Sequence, residues 1–214
     1  MEKTLSKNNQ NVNLQFKLLS AIGIIIIVSG HCYHGGISLA YEWFPTYSFN
    51  LSLFVFISGY FYKPKNENTV LQYIWKRIKR LLLPAYLWNI VYGLYILMTH
   101  NFGYTIGAEV NPYNLFIMPF VDGEAFGYNL GSWFVYPLFL VCVFNVLFRK
   151  LSGLLKIKNE FIFTVLYLAI GMYGIHLAIN GHNTGIMKLL TRAMFFLPCF
   201  QLGRLYNAHL EKKD

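Results

Sequence analysis

Six runs of apolar residues alternate with polar stretches along the chain, each of a length that suits a helix rather than a strand. They extend from Phe16 to Gly36, Tyr47 to Tyr62, Leu81 to Thr99, Ser132 to Phe148, Phe161 to Ile179 and Arg192 to Tyr206. Crossing a hydrocarbon layer of about 30 Å takes roughly 20 mostly apolar residues in a helix, and these runs meet or approach that length. The pattern predicts an all-α, polytopic membrane bundle of about six transmembrane helices. Residues 1–15, rich in Asn and Lys, read as a disordered tail. Residues 16–207 read as the membrane domain and 208–214 as a second tail.

Between the second and third runs, Ile74-Trp75-Lys76-Arg77-Ile78-Lys79-Arg80 alternates apolar and basic residues, as an amphipathic helix on an anionic membrane surface does. Pro84 then falls in the first turn of the third helix. The stretch from His100 to Leu130 carries Gly103, Gly107, Pro112, Pro119, Gly123 and Gly127 without clear periodicity. A loop of that length is functional or partly buried, and a short re-entrant helix is the other reading. No internal repeat is visible.

Composition agrees with a lipid-facing surface: 56% of the 214 residues are hydrophobic and only 13% charged, too few to cover a water-soluble domain. The net charge of +9 does not indicate nucleic acid, because the basic residues cluster between apolar runs rather than on one face. With six spans, every Lys and Arg except Lys188 and Arg192 falls on one side, while Glu42, Glu109, Asp122 and Glu124 fall on the other. By the positive-inside rule, both termini are expected in the cytoplasm and the chain in the cell membrane as a multi-pass protein. Lysine followed by an apolar run at 17–30 looks like a signal peptide, but no small-x-small cleavage site follows, so the first helix is expected to be retained. Cys32, Cys142 and Cys199 sit in or beside separate apolar runs, which reads as packing. His31 and His34 alone are too few ligands, and His100, His176, His182 and His209 lack ligand spacing, so no metal site is expected.

Chemistry points first to His31, an ionisable residue inside the first apolar run. Such a residue is costly in hydrocarbon unless it faces protein or water, and a neutral imidazole can take a proton from a hydroxyl and return it to a leaving group. The competing reading is a histidine satisfied by a neighbouring helix carbonyl. His34, one turn further out, reads as an interfacial residue. Lys17 and Ser20 precede His31 by close to four and three whole turns, so the three share one stripe with the cation and the imidazole about 20 Å apart. That span suits a long ligand entering from the cytoplasm, although Lys17 as a snorkelling anchor explains the same residue. Ser58 and Gly59 read as small residues for close helix packing.

The order and spacing of several short motifs resemble the integral-membrane acyltransferases of family three, which include polysaccharide O-acetylases. They are His31 after an apolar run, Phe54-Val55-Phe56-Ile57-Ser58-Gly59-Tyr60-Phe61, Lys76-Arg77-Ile78-Lys79-Arg80 leading into Leu82-Leu83-Pro84, Ser132-Trp133-Phe134, and Arg192 with Phe195-Phe196-Leu197-Pro198 and Leu202-Gly203. The resemblance implies transfer of an acyl group, usually acetyl, from cytoplasmic acyl-CoA to a hydroxyl of a cell-surface or lipid-linked glycan. His31 would be the general base, and Lys17, Lys76, Arg77, Lys79 and Arg80 would contact the phosphates of acyl-CoA. His34, Tyr60, Trp133 and Arg192 would face the acceptor. Lipid headgroups are the competing partners for the basic run, and interface anchoring is the competing role for Tyr60 and Trp133. Two departures stand out. Many members carry an Arg where this chain has Ser20, and the family fold has about ten helices against about six here. The chain thus resembles the N-terminal portion of that fold, with the remaining helices expected from a second chain if the site is to be complete. A glycan or lipid export component without enzymatic activity, and a truncated inactive acyltransferase, are the alternatives; the lack of repeats argues against a transporter.

Overall fold

The computed structural model describes residues 14–31, 46–103, 109–157 and 159–210, and all regular structure among them is helical. Eight α-helices occur among the described residues: α1 (Leu14–His31), α2 (Thr46–Tyr60), α3 (Val70–Arg77), α4 (Leu83–Asn101), α5 (Met118–Val121), α6 (Val135–Leu154), α7 (Glu160–Ile179) and α8 (Gly185–Leu205). Among the described residues, four helical stretches are long and apolar enough to cross a membrane: Val70–Asn101, Leu130–Leu154, Glu160–Ile179 and Gly185–His209. Leu14–Val28 and Phe49–Tyr60 are shorter apolar helices. Each of the six expected apolar runs thus carries a helix among the described residues, four of them within stretches long enough to span, while positions 32–36 of the first expected run lie outside the described residues; the bundle has a basic end, where residues 61–69, 149–157 and 159 lie, and an opposite end.

α8 is the central helix, packed against α2, α6 and α7. Small residues let it approach: a Cβ on Gly59 of α2 would collide with the Phe200 carbonyl, and one on Gly203 of α8 with the Phe56 carbonyl. On the α7 side, Gly171 meets the Pro198 ring and Gly174 the Met194 side chain. Between lipid-facing helices there is little hydrophobic gain from association, so close backbone contact of this kind is what holds them. The buried core beside these contacts comprises Val55, Val141, Cys142, Val146, Tyr167, Phe196 and Phe200 among others. Most of α4 and α7 faces outward, with Leu87, Leu94, Met98, Val165 and Met172 exposed.

Two expected boundaries are corrected. The basic run is not a separate surface helix: α3 continues into α4 through one wider turn at Ile78–Leu82, where the Leu83 N–H donates to the Ile78 carbonyl five residues back. Pro84 explains the widening, since its ring excludes the carbonyl four residues earlier. The last helix begins at Gly185, not Arg192. The polar look of 182–188 hid its first two turns, because Lys188 has its charge paired with Glu124.

The segment after α4 is partly buried and folds back into the bundle. A second wider turn, Tyr113–Ile117, again precedes a proline, Pro119, which leaves the Leu115 carbonyl without its helical donor. Asn89 Nδ2 fills that place at 2.7 Å. Asn89 is fully buried and lies twelve residues before the end of α4, so Leu115 is held about 18 Å along that helix from its far end.

Candidate functional site

At the opposite end, α2, α7, α8 and the start of α6 enclose a cavity of about 600 Å³ lined by Ser52, Trp133, Gly174, Ile179, Arg192 and Phe195 among others. Trp133 sits in the tight 3₁₀ turn Leu130–Phe134 that leads into α6. Asn129 fixes that turn: its carbonyl accepts from the Ser132 N–H at 2.9 Å and the Ser132 hydroxyl at 2.7 Å, and its own Nδ2 donates to Asn89 Oδ1 at 2.7 Å. The Arg192 guanidinium lies over the Trp133 ring, 4.3 Å from its centroid, and its Nη1 donates to the Gly123 carbonyl at 2.9 Å. Gly123 can present that carbonyl because it adopts φ 66°, and because a Cβ there would press on Gly185, Lys188 and Leu189. Arg192 lies seven residues into α8, about 10 Å inside it, and among the described residues it takes part in no salt bridge. An arginine at that depth is a functional candidate by default, and here it rims a cavity.

His31 is the last residue of α1, and its side chain and all of His34 lie outside the described residues. The backbone register nonetheless locates it. Phe16 stacks on Tyr60 at 3.9 Å between ring centroids, and Gly23 faces the Phe54 ring, so α1 and α2 run antiparallel. Position 31 therefore belongs to the same end of the bundle as the first turn of α2 and the Trp133–Arg192 cavity.

The other candidates lie elsewhere. Tyr60 is buried at the basic end among Phe16, Phe61 and Tyr206, two turns or more from the cavity residue Ser52. Lys17 is exposed, and the Ser20 hydroxyl donates back to the Phe16 carbonyl of its own helix at 2.7 Å. The basic run divides. Arg77 is partly buried over the Tyr73 ring at 5.0 Å, whereas Lys76, Lys79 and Arg80 are exposed, Lys79 lying over Trp75 at 5.1 Å.

The basic end holds a polar network that sequence reading had counted only as topology charges. Buried Arg149 donates from Nη1 and Nη2 to the two oxygens of Glu160, at 3.2 and 3.0 Å, and from Nη2 to Gln201 at 2.7 Å. Its Nε donates to Asn145 at 3.1 Å, and its guanidinium lies 4.2 Å from the Phe163 ring centroid. Arg204 reaches the same carboxylate at 2.7 Å, so one glutamate serves two arginines and joins α6, α7 and α8. Glu67 lies close by beneath Tyr62; burial pushes its carboxyl up, and the Arg149 charge draws it part of the way back. Asn145, Gln201 and Glu160, polar residues in or beside apolar runs, were the signal that could have found this network.

These features define a membrane helix bundle with a cavity at one end and a cation-rich surface at the other. Residues 13–213 match a family model described as an acyltransferase domain. The chain belongs to this acyltransferase family, the third of that name. No curated protein and no solved structure shows significant similarity to it.

Proposed function

We propose that this membrane acyltransferase moves an acetyl group from cytoplasmic acyl-CoA to a hydroxyl of a cell-surface or lipid-linked glycan. In this reading the basic end is cytoplasmic and the helices cross the cell membrane several times. The observation that carries it is the Trp133–Arg192 pair rimming a cavity of about 600 Å³ at the end of the bundle where α1 brings His31. A sugar ring packs its C–H face on an indole, and a guanidinium donates to hydroxyl oxygens. Arg77, Lys76, Lys79 and Arg80 suit the phosphates of the donor, with Arg77 the most fixed of the four.

His31 acts as general base. It removes the proton of the acceptor hydroxyl as the oxygen attacks the thioester carbonyl. The tetrahedral oxyanion collapses, the C–S bond breaks, and the imidazolium returns the proton to the departing thiolate. The products are an ester and free CoA, with no other reactant needed.

The test is acetyl transfer from labelled acetyl-CoA to glycan acceptors in lipid nanodiscs, using the protein purified with any chain that accompanies it. Trp133→Ala is expected to raise the acceptor KM by roughly tenfold, in keeping with the loss of an aromatic platform, and to leave the acetyl-CoA KM unchanged. An unchanged acceptor KM would remove the cavity from the acceptor site.

A further inference from the structure

We propose that Asn89 is a positioning residue: from inside α4 it sets where the Trp133 ring and the Arg192 guanidinium stand, and through them the affinity for the acceptor. The last step rests on the reading of the Trp133–Arg192 cavity as the acceptor site, which the proposal extends to a helix on the far side of the segment 109–134.

Asn89 belongs to the inward face of α4. Ala85, Asn89, Gly93 and Ile96 are buried positions of that helix, and their spacing of three and four residues places them along one stripe. The stripe faces the segment that leads from α4 to α6, since a Cβ on Gly93 would meet the Val110 and Leu115 side chains. Asn89 is 0% exposed. A buried amide is costly in an apolar helix unless both its ends are engaged, and here both are. Its Nδ2 donates to the Leu115 carbonyl and its Oδ1 accepts from Asn129 Nδ2, each at 2.7 Å. Packing alone would be served as well by a leucine. An amide used at both ends ties two separate pieces of chain to one rigid helix. Tyr86, on the turn before, adds a bond of 3.2 Å from its hydroxyl to the Phe116 carbonyl.

The polar rim of the cavity hangs on these two ties. Beyond the second, the Asn129 carbonyl takes both the N–H and the hydroxyl of Ser132, and Trp133 follows in the same 3₁₀ turn. Between the two ties lies Gly123, whose carbonyl accepts from Arg192 Nη1. One side chain on α4 therefore holds both ends of a stretch whose middle aims the guanidinium and whose exit aims the indole. The α6 side of this frame is fixed as well: Tyr136 is 1% exposed, and its ring lies 6.2 Å from that of Tyr86 and 5.3 Å from that of Phe120. Binding groups held by such a second layer keep their geometry, and a displacement of about 1 Å can cost up to about 10²-fold.

The test uses Asn89→Leu, which keeps the volume and removes both hydrogen bonds, and Asn129→Ala, which cuts the second tie at a half-buried residue and leaves α4 unaltered. Transfer is measured in nanodiscs from labelled acetyl-CoA to p-nitrophenyl hexosides. Both variants are expected to raise the acceptor KM by roughly three- to tenfold and to leave the acetyl-CoA KM unchanged. Asn129→Ala added to Trp133→Ala is expected to raise it no further, because its effect passes through the indole. A second readout needs no acceptor. In protein labelled with 5-fluorotryptophan, the Trp133 fluorine signal is assigned by its loss in Trp133→Phe. Both variants should move that signal by more than its line width and leave the Trp75 signal, on α3, in place. An unmoved Trp133 signal, or an acetyl-CoA KM that rises as much as the acceptor KM, would overturn the proposal. A moved signal with an acceptor KM unchanged in these variants and in Trp133→Ala alike would uphold Asn89 as the residue that positions Trp133, and would remove the cavity from the acceptor site instead.

Discussion

Arg149 at the basic end of the bundle and Arg192 at the opposite end are both arginines within apolar helices, and they are treated in contrary ways. Arg149 is 4% exposed, with a carboxylate, two amide oxygens and an aromatic face around it. Arg192 has one backbone carbonyl, the Trp133 face and the more distant charge of Glu124, at the rim of a cavity. Burying an ion is tolerated when its partners replace water on every side, which is the case for Arg149. An arginine less fully matched inside an apolar helix suits a place that water or a ligand can enter, and the cavity rim gives Arg192 such a place. The contrast assigns the first charge to folding and, in the proposed reading, the second to binding.

Removal of Glu160 should show the largest effect. Glu160→Ala leaves Arg149 buried without its counter-ion and Arg204 without its partner, and should lower stability by about 3–5 kcal/mol. Thermal unfolding in detergent checks this. A loss below about 1 kcal/mol would mean the network is no tighter than a surface ion pair, and the contrast with Arg192 would collapse. Gly203→Ala follows, at about 1–3 kcal/mol, because the new methyl group meets the Phe56 carbonyl across the α2–α8 contact. It tests whether the helix that carries Arg192 is held by close backbone approach rather than by the charges themselves.

Smaller is the expected effect of replacing Arg77 and Arg80 together with Gln. Acetyl-CoA affinity should fall by roughly tenfold, and raised salt should reproduce most of the loss in the unmodified protein, because exposed charge pairs are screened. Arg77→Gln alone should account for the larger part, since its guanidinium is held against Tyr73 while Arg80 is exposed. Unchanged donor affinity would reduce the run to lipid contact.

The helices were legible because apolar runs of near-membrane length are a strong signal, and the small residues at Ser58-Gly59 already pointed to close helix packing, though not to α8 as the partner. Boundaries failed where charge stood inside a helix. Lys188 made the start of α8 look like a loop because its partner, Glu124, is 64 residues away in sequence. The continuity of α3 with α4 was hidden by a basic run that sits on an unbroken helix. Of the site, Trp133 and Arg192 were named from motif resemblance, but nothing in local sequence says that they touch. Asn89 was invisible as a partner for Leu115, because the need for it arises only once Pro119 has removed the usual donor. Tyr60 was grouped with the acceptor residues by its aromatic character alone, and its place at the basic end follows from the antiparallel pairing of α1 and α2.

The central claim is that the cavity end of the bundle performs acyl transfer with His31 as its base. The most direct measurement is single-turnover acetyl transfer by His31→Ala, in the same nanodisc assembly and with expression and thermal stability matched to the unmodified protein. The account predicts a loss of about 10²- to 10⁴-fold in rate, the usual contribution of a general base, with acceptor binding retained. A His31→Ala protein that transfers acetyl within a few fold of the unmodified rate would contradict it.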